Sequence, residues 1–321
     1  MKILIIGSSG FLGSWVCRIL SKDHEVIALV RESSNTFNIN NIESIKIMRS
    51  NVNSWCKIID NLKPDAILLL NWSGVENIAR NSEAQLSNVE LFNNLVDQAV
   101  ESKIPKVIGF GSQAELGPVS HSISDDQEDN PTTIYGQAKI QCRINGLSKT
   151  KDSGTNFTWV RIFSVYGPLD SESWLIPSAI ITLSESKPFY CTPGLQEWSF
   201  LHAYDFARAV KYLIENNPDQ KIFNLGNPST NTVKKVLSLI EELLGKNRLL
   251  KFGAISYRDD QVMKLEPKCE GLINLGWKPK VSLESGIRQS IDWFIGNTEK
   301  PLLLDENESI FFGFLSKSKK H

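Results

Sequence analysis

The first twenty residues restrict this chain more than any other stretch. Lys2-Ile3-Leu4-Ile5-Ile6 is an almost wholly apolar run bounded by glycine, the pattern of a strand buried on both faces of a parallel sheet, and Phe11 to Leu20 is apolar with helical period. Between them lies Gly7-Ser8-Ser9-Gly10-Phe11-Leu12-Gly13. Glycines at a strand-to-helix turn leave the backbone open to close approach, and the free N–H groups and positive end of the helix attract a pyrophosphate. Gly7, Gly10, Phe11, Leu12 and Gly13 are therefore expected to hold a dinucleotide.

Further strand signals follow at 25–30, 45–48, 66–70, 107–111 and 157–163, alternating with helical segments, which is the rhythm of a doubly wound α/β sheet. After Pro168 the rhythm breaks. Trp174-Leu175-Ile176-Pro177 opens a helix, Phe189–Gly194 and Glu197–Leu201 read as short strands, and Asn231–Leu244 is an amphipathic helix ended by Gly245. The segment Asp205–Glu215 and the strand Ile222–Leu225 return to the sheet. The expected organisation is a dinucleotide-binding domain over 1–166 with returns near 202–226, a smaller interleaved substrate domain over 167–201 and 227–300, and a tail over 301–321. The catalytic cleft is expected between the two domains.

The end of the second strand bears on the choice of dinucleotide. Asp or Glu there accepts from the ribose hydroxyls of NAD, whereas this strand ends in Arg31, followed by Glu32, Ser33 and Ser34. A guanidinium with nearby hydroxyls suits a 2′-phosphate, so NADPH is favoured and NAD is the alternative, in which Arg31 is a loop cation and Glu32 serves the ribose.

Tyr135 and Lys139 lie four apart in Thr133–Leu147, a stretch without proline that reads as a helix, so their side chains share one face. The ammonium is expected to lower the phenol's pKa from about 10 and make Tyr135 an acid or base near neutrality. Ser112 falls at the C-terminal end of the apolar run Lys106–Gly111, where ligands collect in open α/β sheets, and can hydrogen-bond the reacting oxygen.

With these motifs in chain order, the sequence resembles an extended short-chain dehydrogenase/reductase of the nucleotide-sugar epimerase/dehydratase group over roughly residues 1–295. Arg161-Ile162-Phe163-Ser164-Val165-Tyr166-Gly167-Pro168, Phe200-Leu201-His202-Ala203-Tyr204-Asp205 and Phe223-Asn224-Leu225-Gly226 agree with it. The resemblance implies a Rossmann fold, catalytic roles for Ser112, Tyr135 and Lys139, and cofactor contacts from Asn51, Val52, Leu70, Asn71, Asn88, Lys139 and Phe163. It also implies a homodimer built on the helices that carry Asn88 and Tyr135.

The wording of Gly111–Gly117, Asn71–Val75, Gln196–Phe200 and Tyr257–Val262 is similar to reductases of nucleotide-linked 4-keto-6-deoxyhexoses, the CDP-abequose- and dTDP-fucose-forming kind. A 4,6-dehydratase needs an acid and a base after the catalytic hydroxyl, and here those positions are Gln113 and Ala114. Three departures from the pattern are Asn51 for an adenine-binding Asp, Ser164 for an Asn, and Trp198 for an Arg that meets the diphosphate, which leaves Arg258 as the expected phosphate partner. Gln113, Ser164, Arg258, Trp72 and Trp198 are the expected substrate residues, with ordinary packing as the other reading of the two tryptophans. Gln85, Asn93 and Asn94, on the helix of Asn88, read as solvated or as subunit contacts.

Composition excludes several classes. A net charge of −1 over 321 residues gives no footprint for nucleic acid or acidic membrane. Five scattered cysteines without C-x-x-C spacing, and four histidines without ligand spacing, indicate neither disulfides nor a metal site. No apolar run is long enough to span a bilayer, so a soluble cytoplasmic protein is expected. The stretches 302–304 and 310–315 are apolar for a tail and suit packing on the body or on another subunit, whereas Ser316–His321 is expected to fray. Two other functions fit the motifs: a 4-epimerase that retains its cofactor, and a non-catalytic cofactor sensor, although such proteins commonly lose the Tyr or Lys kept here.

Overall fold

The apolar runs assemble into one seven-stranded sheet in a computed structural model that describes residues 1–75, 77–258, 261–296, 302–305 and 308–310. Along the chain, β1 (Lys2–Ile6), α1 (Phe11–Leu20), β2 (Glu25–Arg31), β3 (Ile45–Ser50), α2 (Trp55–Leu62), β4 (Ala66–Leu69), α3 (Gln85–Glu101), β5 (Lys106–Ser112), α4 (Ile134–Thr150) and β6 (Asn156–Ile162) follow in strict alternation after β3. The strand order is β11-β6-β5-β4-β1-β2-β3, every pair parallel, with β11 (Ile222–Leu225) arriving late in the chain as expected. The order reverses between β1 and β4, so the end of the sheet beside Gly7 and Leu70 is where open α/β sheets place a ligand.

Both faces of the sheet are covered. Successive residues of β1 point to opposite sides: Ile3 and Ile5 pack with Trp15 and Leu20 of α1, while Leu4 and Ile6 pack with Trp55, Phe92 and Val96 from α2 and α3. This is why β1 has no polar position between Ile3 and Ile6.

The remaining elements are β7 (Val165–Tyr166), α5 (Leu175–Ser184), β8 (Phe189–Cys191), β9 (Glu197–Ser199), β10 (Leu201–His202), α6 (Ala203–Asn216), β12 (Thr230–Thr232), α7 (Val233–Leu243), β13 (Leu250–Phe252), β14 (Lys264–Leu265), α8 (Glu270–Asn274) and α9 (Leu283–Phe294). The stretch expected as one strand over Glu197–Leu201 divides at Phe200, because β9 joins β12 and β14 whereas β10 pairs with β7. Likewise the helix expected from Asn231 starts at Val233, because residues 230–232 pair antiparallel with β9 and Thr232 then caps the helix by accepting from Lys235 N–H. At the end of the described chain, β15 (Leu302–Asp305) and β16 (Glu308–Ile310) form a small antiparallel pair, and the expectations for residues 311–321 fall outside the described residues.

Among the described residues no helix is long and apolar enough to cross a membrane, and no three His, Cys, Asp or Glu side chains cluster as a metal site. The five cysteines are free thiols.

Candidate active site

The glycine turn is shaped by the backbone around it. Gly7 has φ +90°, and a Cβ there would lie 2.5 Å from Asn71 N and 2.6 Å from Leu70 C; a Cβ at Gly13 would collide with Gly7 O. Gly7 is required by packing of the turn against the chain just after β4, and Gly13 by packing of the helix start against the turn itself. Gly10 differs, since a Cβ would meet only Gly7 O at 3.5 Å. It is the N-cap of α1 and supplies no side-chain cap, so the first N–H groups of that helix await another acceptor. The Ser8 hydroxyl next to it is fully buried and has no hydrogen-bond partner. An open approach at Gly10, uncapped helical N–H groups and an orphaned hydroxyl fit a pyrophosphate.

Arg31 ends β2 and is exposed. The loop after it is clamped by a residue that the sequence did not single out: Arg49 of β3 donates to Glu32 O at 3.1 Å, Ser34 O at 2.9 Å and Thr36 Oγ1 at 2.7 Å. Asn51 is exposed and its side-chain oxygen already accepts from Asn53 N–H at 3.0 Å, capping the short 3-10 turn that begins at Val52. That oxygen keeps one further lone pair for a ligand.

Beyond β4 the loop from Leu70 is braced from below by α3. Asn88 grips the Ser73 peptide on both sides, accepting from its N–H and donating to its C=O, each at 3.0 Å. Gln85 is 1% exposed, donates to Gly74 O and Ala79 O, and accepts from Trp72 Nε1 at 2.8 Å. The expectation of a solvated Gln85 is therefore corrected: its buried amide is committed to hydrogen bonds with the loop. Asn93 accepts from Asn145 of α4 at 3.0 Å, and the Asn94 carbonyl receives the Cys56 thiol at 3.6 Å.

Ser112, Tyr135 and Lys139 come together between the end of β5 and α4. The Ser112 hydroxyl donates to Gln113 Oε1 at 3.1 Å and receives Ala114 N–H at 3.2 Å, close enough to the Tyr135 phenol to act on its ionisation. Lys139 is buried, donates to Phe110 O at 2.7 Å, and seats its Nζ 3.6 Å from the centre of the Trp72 ring, which in turn meets Tyr135 edge-on at 5.8 Å. Trp72 thus roofs the lysine. Burial holds the Tyr135 phenol above its ordinary value, against the opposing pull of the Ser112 side chain and the charge of Arg80. The expected depression by Lys139 is not what dominates here, because desolvation of the phenolate outweighs the charges around it. The same burial pulls the Lys139 ammonium down to about 8.

Arg80 was not anticipated, and nothing in its local sequence separates it from a solvated cation. It is half-buried, anchored by Nε to Val75 O at 2.9 Å, with its guanidinium 5.4 Å from the Tyr135 ring centre and 6.0 Å from that of Trp174 at the start of α5. No carboxylate among the described residues pairs with it.

The other expected residues lie nearby with their groups partly committed. Phe163 is buried in a small apolar cluster with Leu116, Ile123 and Leu265, and Ser164 offers its carbonyl to Leu201 N–H at 2.9 Å. Trp198 is half-buried, packs on that cluster and gives its indole N–H to Val262 O at 2.9 Å. Arg258 is exposed, beside residues 259–260, which are outside the described set. His202 is a buried helix cap, accepting from Tyr204 N–H through Nδ1, and burial lowers it to about 3.

The sequence pattern of the NAD dependent epimerase/dehydratase family matches residues 3–226. Among relatives, an uncharacterized protein of Methanocaldococcus jannaschii is 26% identical over 93% of this chain and 97% of its own. CDP-abequose synthase of Salmonella typhimurium is 24% identical over 89% of this chain and 96% of its own. Among solved structures, the UDP-glucuronic acid 4-epimerase of Bacillus cereus, in complex with UDP-glucuronic acid and NAD, superposes with a TM-score of 0.81 over 92% of this chain and 99% of that one at 21% identity, a likeness of fold.

Proposed function

This chain belongs to the NAD dependent epimerase/dehydratase family, and from that membership we propose that it reduces the 4-keto group of a nucleotide-linked 4-keto-6-deoxyhexose with NADPH. The observation that carries the reading is the turn after Ser112. Its two following side chains are an amide, already bonded to the serine hydroxyl, and a methyl, so no acid–base pair for eliminating water stands there. The next carboxylate, Glu115, is fully buried and bound to Arg143, Arg161 and Trp159. What the site does offer is one proton donor. A desolvated Tyr135 stays a neutral phenol at physiological pH, the form a reduction needs.

Gly7, Gly10, Phe11, Leu12 and Gly13 would hold NADPH, which when bound would supply the hydride. Tyr135 gives its proton to the keto oxygen, Ser112 orients that oxygen, and Lys139 and Arg80 place positive charge where negative charge develops. Asn51, Val52, Leu70, Asn71, Asn88 and Phe163 are proposed cofactor neighbours, and Trp72, Gln113, Ser164 and Arg258 substrate neighbours. Arg31, beside the loop that Arg49 clamps, is proposed to meet the 2′-phosphate. Arg31→Ala is expected to weaken NADPH more than NADH in fluorescence titrations; an equal effect on both returns Arg31 to the surface. We infer a cytoplasmic homodimer that buries the exposed Leu86 of α3 and Ile144 of α4.

A second reading, a nucleotide-sugar 4-epimerase with retained cofactor, uses the same three residues and is favoured by the fold likeness to a UDP-sugar 4-epimerase. The deciding experiment follows NADPH absorbance with purified protein and dTDP-, CDP- and GDP-linked 4-keto-6-deoxyhexoses. Consumption matched by sugar alcohol supports the reductase, and none with any sugar favours the epimerase.

A further inference from the structure

Beneath the catalytic turn lies a buried charge cluster to which neither the sequence reading nor the proposed chemistry gives a role. Glu115 closes the 3-10 turn Gln113–Glu115, and its Oε1 accepts from Ser112 N–H at 2.9 Å, while Ser112 Oγ accepts from Ala114 N–H in return. The carboxylate is 0% exposed. Trp159 Nε1 reaches its two oxygens at 3.1 and 3.2 Å, and Nε of both Arg143 and Arg161 reaches Oε2 at 3.3 Å. Both guanidiniums also hold Asp129, Arg161 at 3.0 Å, and Arg161 reaches Asp125 O at 3.2 Å.

The sequence is cut to admit this cluster. A Cβ on Gly111 would collide with Glu115 Oε1 and Trp159 Nε1, and one on Gly109 would lie 2.7 Å from the Trp159 ring. From the other side Gly136, next to Tyr135, presses on Ala114 O so closely that a Cβ would not fit. The turn is therefore held between α4 and the carboxylate. An ion cluster is a costly way to fill a core, since apolar side chains of similar volume stabilise as well or better. Here one of its acceptors is spent on the backbone N–H of Ser112, the serine whose hydroxyl lies by the Tyr135 phenol.

We propose that Glu115 is a positioning residue, a buried carboxylate that locks the Ser112–Glu115 turn so that the serine hydroxyl is presented to Tyr135, and that it acts on the reaction only through Ser112. The proposal rests on the reading of Ser112 as the hydroxyl that orients the reacting oxygen. A carboxylate that merely neutralises two arginines would support the core and the cofactor site alike; one that positions Ser112 has an effect that disappears with the serine.

The test is a double-mutant cycle on the full chain with Glu115→Gln, Ser112→Ala and the pair. Glu115→Gln is expected to lower kcat about 10- to 100-fold, in the range seen when the hydrogen-bonded support of a reacting group is removed, with sugar KM and NADPH affinity within about twofold. In the Ser112→Ala background the same change should alter kcat less than about twofold. Equal losses in both backgrounds, or no loss in either, overturn the proposal. A second arm needs no substrate: amide hydrogen exchange should accelerate about tenfold over 112–116 in Glu115→Gln while β1 and β4 keep their protection. Unchanged or uniformly increased exchange overturns the hold. If the wild type turns over no keto sugar, the catalytic reading of Ser112 fails by itself and the exchange arm still judges the hold. Should Glu115→Gln not fold, Arg143→Gln, which leaves the carboxylate and Arg161 in place, is expected to give the same pattern at about a threefold scale, and a loss independent of Ser112 would again overturn it.

Discussion

Tyr135 and Lys139 share one face of one helix turn, yet burial drives them in opposite senses, the phenol up and the ammonium down to about 8. Both shifts favour neutral forms, as expected where desolvation outweighs the charges nearby. Tyr135→Phe is expected to lower turnover by about two to four orders of magnitude with little change in NADPH affinity; a near-wild-type rate would remove the tyrosine from the chemistry. Lys139 gives a stability signature. Its folded value of about 8 lies below the value of about 10.4 for an unfolded lysine, so between the two the unfolded chain binds the extra proton and stability rises with pH. Below about 8 both states are charged and the cost of the buried ammonium is constant. In cofactor-free protein the stability of wild type relative to Lys139→Met should climb by on the order of 3 kcal/mol from pH 7.5 to 10.5, read from urea midpoints, and a flat difference would refute it. Sequence spacing placed these two residues side by side but misjudged the phenol, because spacing reports neighbours and desolvation depends on everything else that folds over them. Trp72 is part of that cover.

At the level of elements, the parallel strands were the most legible, since a strand buried on both faces must be apolar throughout. β1 and β11 have the expected bounds and the others depart by a residue or two at their ends. The short pieces were less legible because their partners, not their own residues, decide them: the break at Phe200 and the strand at Thr230–Thr232 exist through pairing with β7 and β9. Arg161 carried an unread signal. A guanidinium in the middle of a buried strand demands acid partners, which proved to be Glu115 and Asp129. The bracing of the 71–74 loop by α3 makes an element-scale prediction. Asn88→Ala removes both hydrogen bonds to the Ser73 peptide and should cost about 1–2 kcal/mol by denaturant midpoint, with weaker NADPH binding; unchanged values for both would show that the loop holds itself.

For the molecule as a whole, the strand order that reverses between β1 and β4 puts the glycine turn, the Asn71 loop and Ser112 at one end of the sheet. The exposed Leu86 and Ile144 lie on neighbouring helices, and charging both as Leu86→Glu/Ile144→Glu is expected to halve the mass seen by light scattering, whereas a wild type already monomeric would end the homodimer reading. The late arrival of β11 has a consequence for synthesis. Until residues 222–225 emerge, β6 offers its outer row of N–H and C=O groups to any extended chain, because Trp159 N–H, Phe163 N–H and the ladder between them wait for Lys221 to Leu225. A nascent or truncated chain that stops before this strand therefore carries an open, apolar sheet edge, so premature termination anywhere between residues 163 and 221 should yield aggregates rather than a smaller folded protein.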